Sequence, residues 1–271
     1  MLEAGTIPYL TIGDATLLAE LYRPFGPVVG AIVDVHGGAW TALDRFENRP
    51  FLAPLVEAGF LVLSIDFRMP PSAGYPETVA DINYAIRWLK SRSTELGFDA
   101  AKVFGLGSSS GGHLIVLSAL RPGDPRYLAH ADPATAGFDA SLAGVVACWP
   151  VLDPVGRYRM AVETGRQRLV QGHDAFWGTS AAMDGGSPIG IVERREPVAL
   201  PPVLVVQGTA DENLDHHSID RFAAAYRALG GEAEFHKYPG QKHGFMKHEP
   251  DAEAGRDAIA RMVAFFGRLA R

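Results

Sequence analysis

Three residues of the chain have the types and the surroundings to do nucleophilic chemistry. Ser109 stands in Gly107-Ser108-Ser109-Ser110-Gly111, a G-x-S-x-G sequence between the apolar stretch Val103-Phe104 and the helical stretch Ser109 to Leu120. A serine at the tip of a sharp strand-to-helix turn is pushed clear of the sheet, and small flanking residues let the two arms of the turn close up. A serine hydroxyl is a poor nucleophile until a base takes its proton. His243, in Lys242-His243-Gly244-Phe245, is the candidate base. Asp211, in Gly208-Thr209-Ala210-Asp211, is the candidate acid that would fix the imidazole tautomer and stabilise the imidazolium; Glu212 and Asp215 are close by, and Asp211 is preferred because it comes soonest after the strand. The attacked carbonyl would become an oxyanion and needs waiting N–H donors. Ser110, which follows the nucleophile, would supply one, and Gly38 and Ala39 in His36-Gly37-Gly38-Ala39-Trp40 would supply the others.

Competing readings of the glycine-rich stretch fall away. Gly105-Leu106-Gly107 begins a G-x-G-x-x-G, but Ser110 occupies the third glycine position, so the dinucleotide fingerprint fails. No Gly-Lys-Ser/Thr follows, so it is not a phosphate-binding Walker loop. No H-E-x-x-H occurs, and His216 and His217, adjacent on a helical stretch, point in different directions. No metal site and no cofactor are therefore expected. His113 falls in the first turns of the elbow helix and reads as a packing or locally hydrogen-bonded residue.

The elements that must position these residues alternate along the chain. Tyr9 to Tyr22 reads as two short strands around Gly13-Asp14. Val28 to Val35, Phe60 to Ile65, Val103-Phe104, Leu142 to Trp149, Val203 to Gln207 and Glu234 to Tyr238 read as strands, several of them unbroken apolar runs that suit burial on both faces. Helical sequence lies at Glu47 to Ala58, Glu77 to Leu96, Ser109 to Leu120, Asp215 to Leu229 and Ala252 to Leu269. Alternation of this kind predicts an α/β fold with a mostly parallel central sheet flanked by helices. Ligands bind such sheets beyond the carboxyl ends of the strands, where all three candidates and the 36–40 stretch fall.

Bulk properties narrow the class. With 271 residues, 47% hydrophobic and 21% charged, the chain is expected to form a single domain over 1–271. A net charge of −6 without a basic run argues against nucleic acid as a partner. No apolar run approaches a membrane span, and no signal peptide is read at the start. The single cysteine, Cys148, reads as a core residue and fits a cytoplasmic setting. The long connection 153–197 carries Tyr158, Phe176 and Trp177 and is read as a small cap-like insertion. Trp40 and Trp177 are expected to wall the substrate pocket. An exposed last strand could pair into a homodimer.

His36-Gly37-Gly38-Ala39-Trp40, Gly107 to Gly111, Gly208-x-x-Asp211 and His243-Gly244-Phe245, in that order, resemble the α/β-hydrolase superfamily. More narrowly they are similar to the hormone-sensitive-lipase-like carboxylesterases and the kynurenine formamidases, which carry H-G-G-x-W. Asp66-Phe67-Arg68 and Tyr75-Pro76 match that group too, and the resemblance runs from about Leu17 to the end. It implies a Ser109-His243-Asp211 triad and oxyanion N–H groups from Gly38, Ala39 and Ser110, with His36 supporting its loop. Ser110 departs from the alanine common after the nucleophile in these esterases, and the early position of His36 implies that their long N-terminal cap is missing. The resemblance implies a small-molecule substrate: a small or medium ester cleaved through an acyl-enzyme, or, as the alternative, an amide of the arylformamidase kind. A ligand receptor on the same scaffold is the remote alternative, since such proteins usually lose a triad member.

Overall fold

The computed structural model describes residues 3–271. Eight strands form one sheet: β1 (Glu3–Ile12), β2 (Ala15–Arg23), β3 (Gly30–Val35), β4 (Phe60–Ile65), β5 (Val103–Ser108), β6 (Val145–Cys148), β7 (Val203–Gly208) and β8 (Ala233–Tyr238). Their order across the sheet is β1-β2-β4-β3-β5-β6-β7-β8. β1 and β2 form an antiparallel hairpin, and β2 pairs antiparallel with β4. From β4 to β8 every neighbouring pair is parallel. Strands β3 to β7 are buried along their whole length, which is why β3, β4, β6 and β7 read as apolar runs rather than alternating ones.

Helices α1 (Ala53–Glu57), α2 (Glu77–Ser91), α3 (Ser93–Leu96), α4 (Ser110–Leu120), α5 (Pro154–Glu163), α6 (Gln167–Trp177), α7 (Ser180–Gly185), α8 (Pro188–Glu193), α9 (Ser218–Ala228), α10 (Phe245–His248) and α11 (Glu253–Leu269) connect and cover the strands. In α11 the side chains of Ile259, Met262 and Phe266 are buried, as the helical spacing predicts. The terminal hairpin is longer than the sequence pattern suggests, because β1 begins at Glu3 on four exposed residues that carry no apolar pattern and are held by pairing with the end of β2. The stretch 47–58 is broken into a single 3-10 turn, Arg49–Phe51, and the short α1. The expected 77–96 helix is interrupted at Arg92.

The 153–197 connection is folded into the four helices α5 to α8. Three begin on side-chain caps: Asp153 accepts from Gly156 N–H, Thr179 from Ala182 N–H and Ser187 from Gly190 N–H. Among the described residues no helix is long and apolar enough to cross a membrane.

Candidate active site

The turn between β5 and α4 holds Ser109 at φ 53°, ψ −118°, a backbone conformation that costs a non-glycine residue roughly 1–3 kcal/mol. Neighbouring contacts enforce it. Ser109 N–H donates to Cys148 O at 2.9 Å, and Ser109 O accepts from Val151 N–H and His113 N–H, both at 3.1 Å. The flanking glycines leave no room for a side chain. A Cβ on Gly107 would lie 2.5 Å from Gly111 O, and one on Gly111 would collide with the carbonyl oxygens of Val35 and His36. The glycines are therefore the condition for the turn packing against the end of β3.

The loop after β8 brings His243 to the turn. Its Nε2 lies 3.1 Å from Ser109 Oγ, and its Nδ1 lies 2.7 Å from Asp211 Oδ2. With Nδ1–H donating to the carboxylate, Nε2 is left to accept the serine proton. Asp211 follows β7 and is nearly buried. Burial alone would push its carboxyl up; hydrogen bonds from His243, Gln207 and Asn213 N–H outweigh that and hold it below the usual carboxylate range. It stays an anion beside the imidazole. Serine, histidine and aspartate, far apart in sequence, thus form one hydrogen-bonded line.

The loop after β3 faces them. Gly38 (φ 104°), Ala39 (φ 54°) and Trp40 (φ 64°) are consecutive left-handed residues. Such a run turns successive N–H groups toward one side, a concavity suited to an anion. Among the described residues the N–H groups of Gly38 and Ala39 have no acceptor, and Trp40 N–H donates to Ser110 Oγ at 3.1 Å. Ser110 opens α4, so its own N–H is one of the unpaired donors of a helix start. The serine in place of alanine has a task here: its buried hydroxyl ties the 38–40 loop to the elbow helix. His36, expected to support this loop, is buried, stacks on Phe67 at 4.3 Å between ring centres and hydrogen-bonds the Gly37 carbonyl.

Trp40 and Trp177 are not where the sequence reading puts them. Trp40 is fully buried and Trp177 is 3% exposed, and neither lines the cavity at Ser109. Trp40 stacks on Phe176 at 5.1 Å, meets Trp177 edge-on, and donates from Nε1 to His113 Nδ1 at 3.1 Å. Both tryptophans are core residues that lock α6 against the 38–40 loop. An aromatic beside a site motif has the same sequence signature whether it faces substrate or packs beneath the site. The tryptophan that does line the cavity is Trp149, at the end of β6, with its ring 6.1 Å from that of His243.

The cavity holds about 590 Å³. Besides Ser109, His243 and the 37–39 backbone, its wall includes Arg157, Arg166, Arg168 and Leu169 from the 153–197 connection. Nothing in the sequence reading pointed to the arginines; the clustering of Arg157, Arg159, Arg166 and Arg168 within twelve residues was the available signal. Cys148 is buried against Met262 and takes no part in the cavity. Among the described residues no group of three His, Cys, Asp or Glu side chains is arranged to hold a metal ion.

The sheet order, the strained turn at its centre and the loops gathered at its carboxyl edge define an α/β-hydrolase fold. Within that fold the chain belongs to the BD-FAE family, whose model matches residues 22–225. It is similar to the esterase LipC of Mycobacterium tuberculosis, at 29% identity over 79% of this chain and 52% of that one. It is also similar to esterase LipQ of the same organism, at 27% identity over 90% of this chain and 57% of that one. The chain thus spans about half the length of these curated relatives. Among solved structures, Thermogutta terrifontis esterase 2 phosphorylated by paraoxon superposes with a TM-score of 0.80 at 23% identity, covering 98% of this chain and 94% of that one.

Proposed function

We propose that the protein is a serine hydrolase of carboxylic esters that works through an acyl-enzyme. The observation that carries this reading is the line Ser109 Oγ, His243 Nε2, His243 Nδ1, Asp211 Oδ2, with spacings of 3.1 and 2.7 Å, facing unpaired N–H groups of the 38–39 loop. In the first half-reaction Ser109 Oγ attacks the ester carbonyl carbon while its proton passes to His243 Nε2. Gly38, Ala39 and Ser110 N–H groups receive the negative charge that develops on the carbonyl oxygen; one such donor is worth on the order of 10²–10³ in rate. His243 then returns its proton to the departing alkoxide oxygen as the carbon–oxygen bond breaks, leaving an ester on Ser109. Water, deprotonated by His243, releases the acid and restores the serine. Asp211 holds the imidazole tautomer throughout and offsets the imidazolium charge. The esterase names of the relatives and the paraoxon-phosphorylated structural neighbour support the same reading.

The same groups can cleave a formamide if His243 protonates the leaving nitrogen. Turnover of a neutral ester such as phenyl acetate beside N-formylkynurenine, for wild type and Ser109→Ala, separates the cases. The ester reading expects ester turnover that Ser109→Ala abolishes. Dominant formamide turnover would move the enzyme to the amide class, and full activity in Ser109→Ala would overturn the assignment of the nucleophile.

A further inference from the structure

The cavity wall is more basic than the protein around it. The whole chain carries a net charge of −6, yet Arg157, Arg166 and Arg168 all reach this one cavity. Its single carboxylate, on Glu47, is already paired with Lys247. Arg168 forms no ion pair among the described residues, and Arg166 has only Glu212, 3.9 Å away and 80% exposed.

Arg157 is the distinctive member. It projects from α5 and is only 6% exposed. Its Nη1 donates to His173 Nε2 at 3.2 Å, its Nε donates to Asn213 O at 3.3 Å, and its Cζ lies 5.5 Å from the centre of the Trp40 ring. Among the described residues no carboxylate oxygen comes within 4.0 Å of it. The asymmetry is physical. An arginine buried to this degree is normally matched by an acid, because taking an unpaired charge out of water costs several kcal/mol. Its direct partners are a neutral imidazole, a backbone carbonyl and an aromatic ring; the Asp211 carboxylate acts on it only from beyond 4.0 Å and is already engaged by His243, Gln207 and Asn213, and Arg157 lines the cavity that holds Ser109. Burial lowers its pKa to about 10, with the nearby Asp211 carboxylate opposing the fall, so the cation persists at neutral pH. His173 cannot share the charge, since burial and the adjacent Arg157 cation hold its pKa down to about 3.

We infer that the ester substrate carries a carboxylate, and that Arg157 binds it with Arg166 at the cavity mouth. The planar guanidinium fork fits a carboxylate with two parallel hydrogen bonds, and one buried guanidinium matches one monoanionic group. A neutral ester would leave Arg157 without a carboxylate in direct contact, whereas an anionic one completes a buried pair. The inference deepens the hydrolase reading and rests on it.

The test compares near-isosteric esters that differ in this charge and carry one cleavable ester each. One pair is 4-acetoxybenzoate and 4-acetoxybenzamide, with the carboxylate on the leaving group. The other is monomethyl adipate and methyl adipamate, with the carboxylate on the acyl side. Wild type is expected to favour the anionic member of one pair in kcat/KM by about 10-fold or more, as charge-assisted hydrogen bonds give, and the pair that responds identifies the side. In Arg157→Gln the anionic-to-neutral ratio should fall to about one or below, Arg157→Lys should recover part of it, and Arg166→Gln should lower it less. Wild type that favours the neutral member of both pairs overturns the inference. So does an Arg157→Gln protein whose two rates fall in parallel, the signature of a brace for α5. If Arg157→Gln does not fold, the wild-type ratio and Arg166→Gln decide. Calorimetric binding of the same pairs to Ser109→Ala separates this inference from the hydrolase reading. Tighter binding of the anion supports the carboxylate site whatever the turnover, and equal binding rejects it even if the neutral esters are cleaved.

Discussion

Replacing His113 with glutamine should make stability less dependent on acid, and the size of the effect follows from the hydrogen bonds. Trp40 Nε1 can only donate, so His113 Nδ1 accepts from it, and the ring proton sits on Nε2, which donates to Gly186 O at 2.9 Å. A second proton on Nδ1 would point at the indole N–H. Burial, with a smaller push from the Arg157 cation, holds the imidazole pKa down to about 4 from 6.5. The folded state therefore binds fewer protons than the unfolded chain between those values, so this residue's stabilising share is complete above pH 6.5 and is lost as pH falls toward 4. Between about pH 8 and pH 5 the loss from this residue is about 2 kcal/mol, from roughly 1.4 kcal/mol per pKa unit. Glutamine can accept from Trp40 and donate to Gly186 but does not titrate. It forfeits the edge contacts of the ring with Trp40 and Trp177, so at about pH 8 the variant should be less stable by about 2 kcal/mol. At about pH 5 that gap should nearly close. His173 is present in both proteins, so its share largely cancels. Urea unfolding of both proteins across this range reads the difference directly. A gap that stays constant with pH would refute the argument.

Two further substitutions probe the line of groups at the turn. Asp211→Asn can present an N–H to His243 Nδ1 and so stabilise the wrong tautomer; kcat on a neutral ester should fall by about 10³–10⁴ with the far-UV circular dichroism unchanged, and retention of more than a tenth of the activity would contradict the role. Ser110→Ala strands the buried Trp40 N–H at a cost of about 1–3 kcal/mol and frees the 38–40 loop. It should lower Tm and reduce kcat about tenfold with KM little changed, and a variant with neither loss would show that the hydroxyl does not position the loop.

What the sequence disclosed and what it withheld follow from the range of the forces involved. Ser109, Asp211 and His243 could be picked out as candidates because each follows a strand and sits beside glycines that the tight backbone turns and close backbone approaches at the strand ends require. Strands β3, β4, β6 and β7 were legible because burial on both faces leaves apolar runs, whereas of β5 only Val103-Phe104 was read and its Gly-Leu-Gly-Ser end was assigned to the turn. Trp40 and Trp177 were misplaced because their surroundings come from α4 and α6, brought together by packing between distant segments. Arg157 went unnoticed for the same reason. In a helical stretch an arginine reads as a solvated charge, and its burial depends on α6 and the 213 loop closing over it. The break at Arg92 and the division of 153–197 into four helices depend on capping residues and turn conformations that the apolar pattern does not record.

Ester cleavage by the proposed route requires Ser109 to be a nucleophile activated by His243. Incubation with a fluorophosphonate, followed by intact-mass measurement and peptide mapping, tests it without any assumption about the substrate. The expected result is one covalent adduct per chain, on Ser109, absent in Ser109→Ala and slowed at least about 10²-fold in His243→Ala, the range general-base removal gives. An adduct on another residue, or labelling of Ser109 at the same rate without His243, would contradict it.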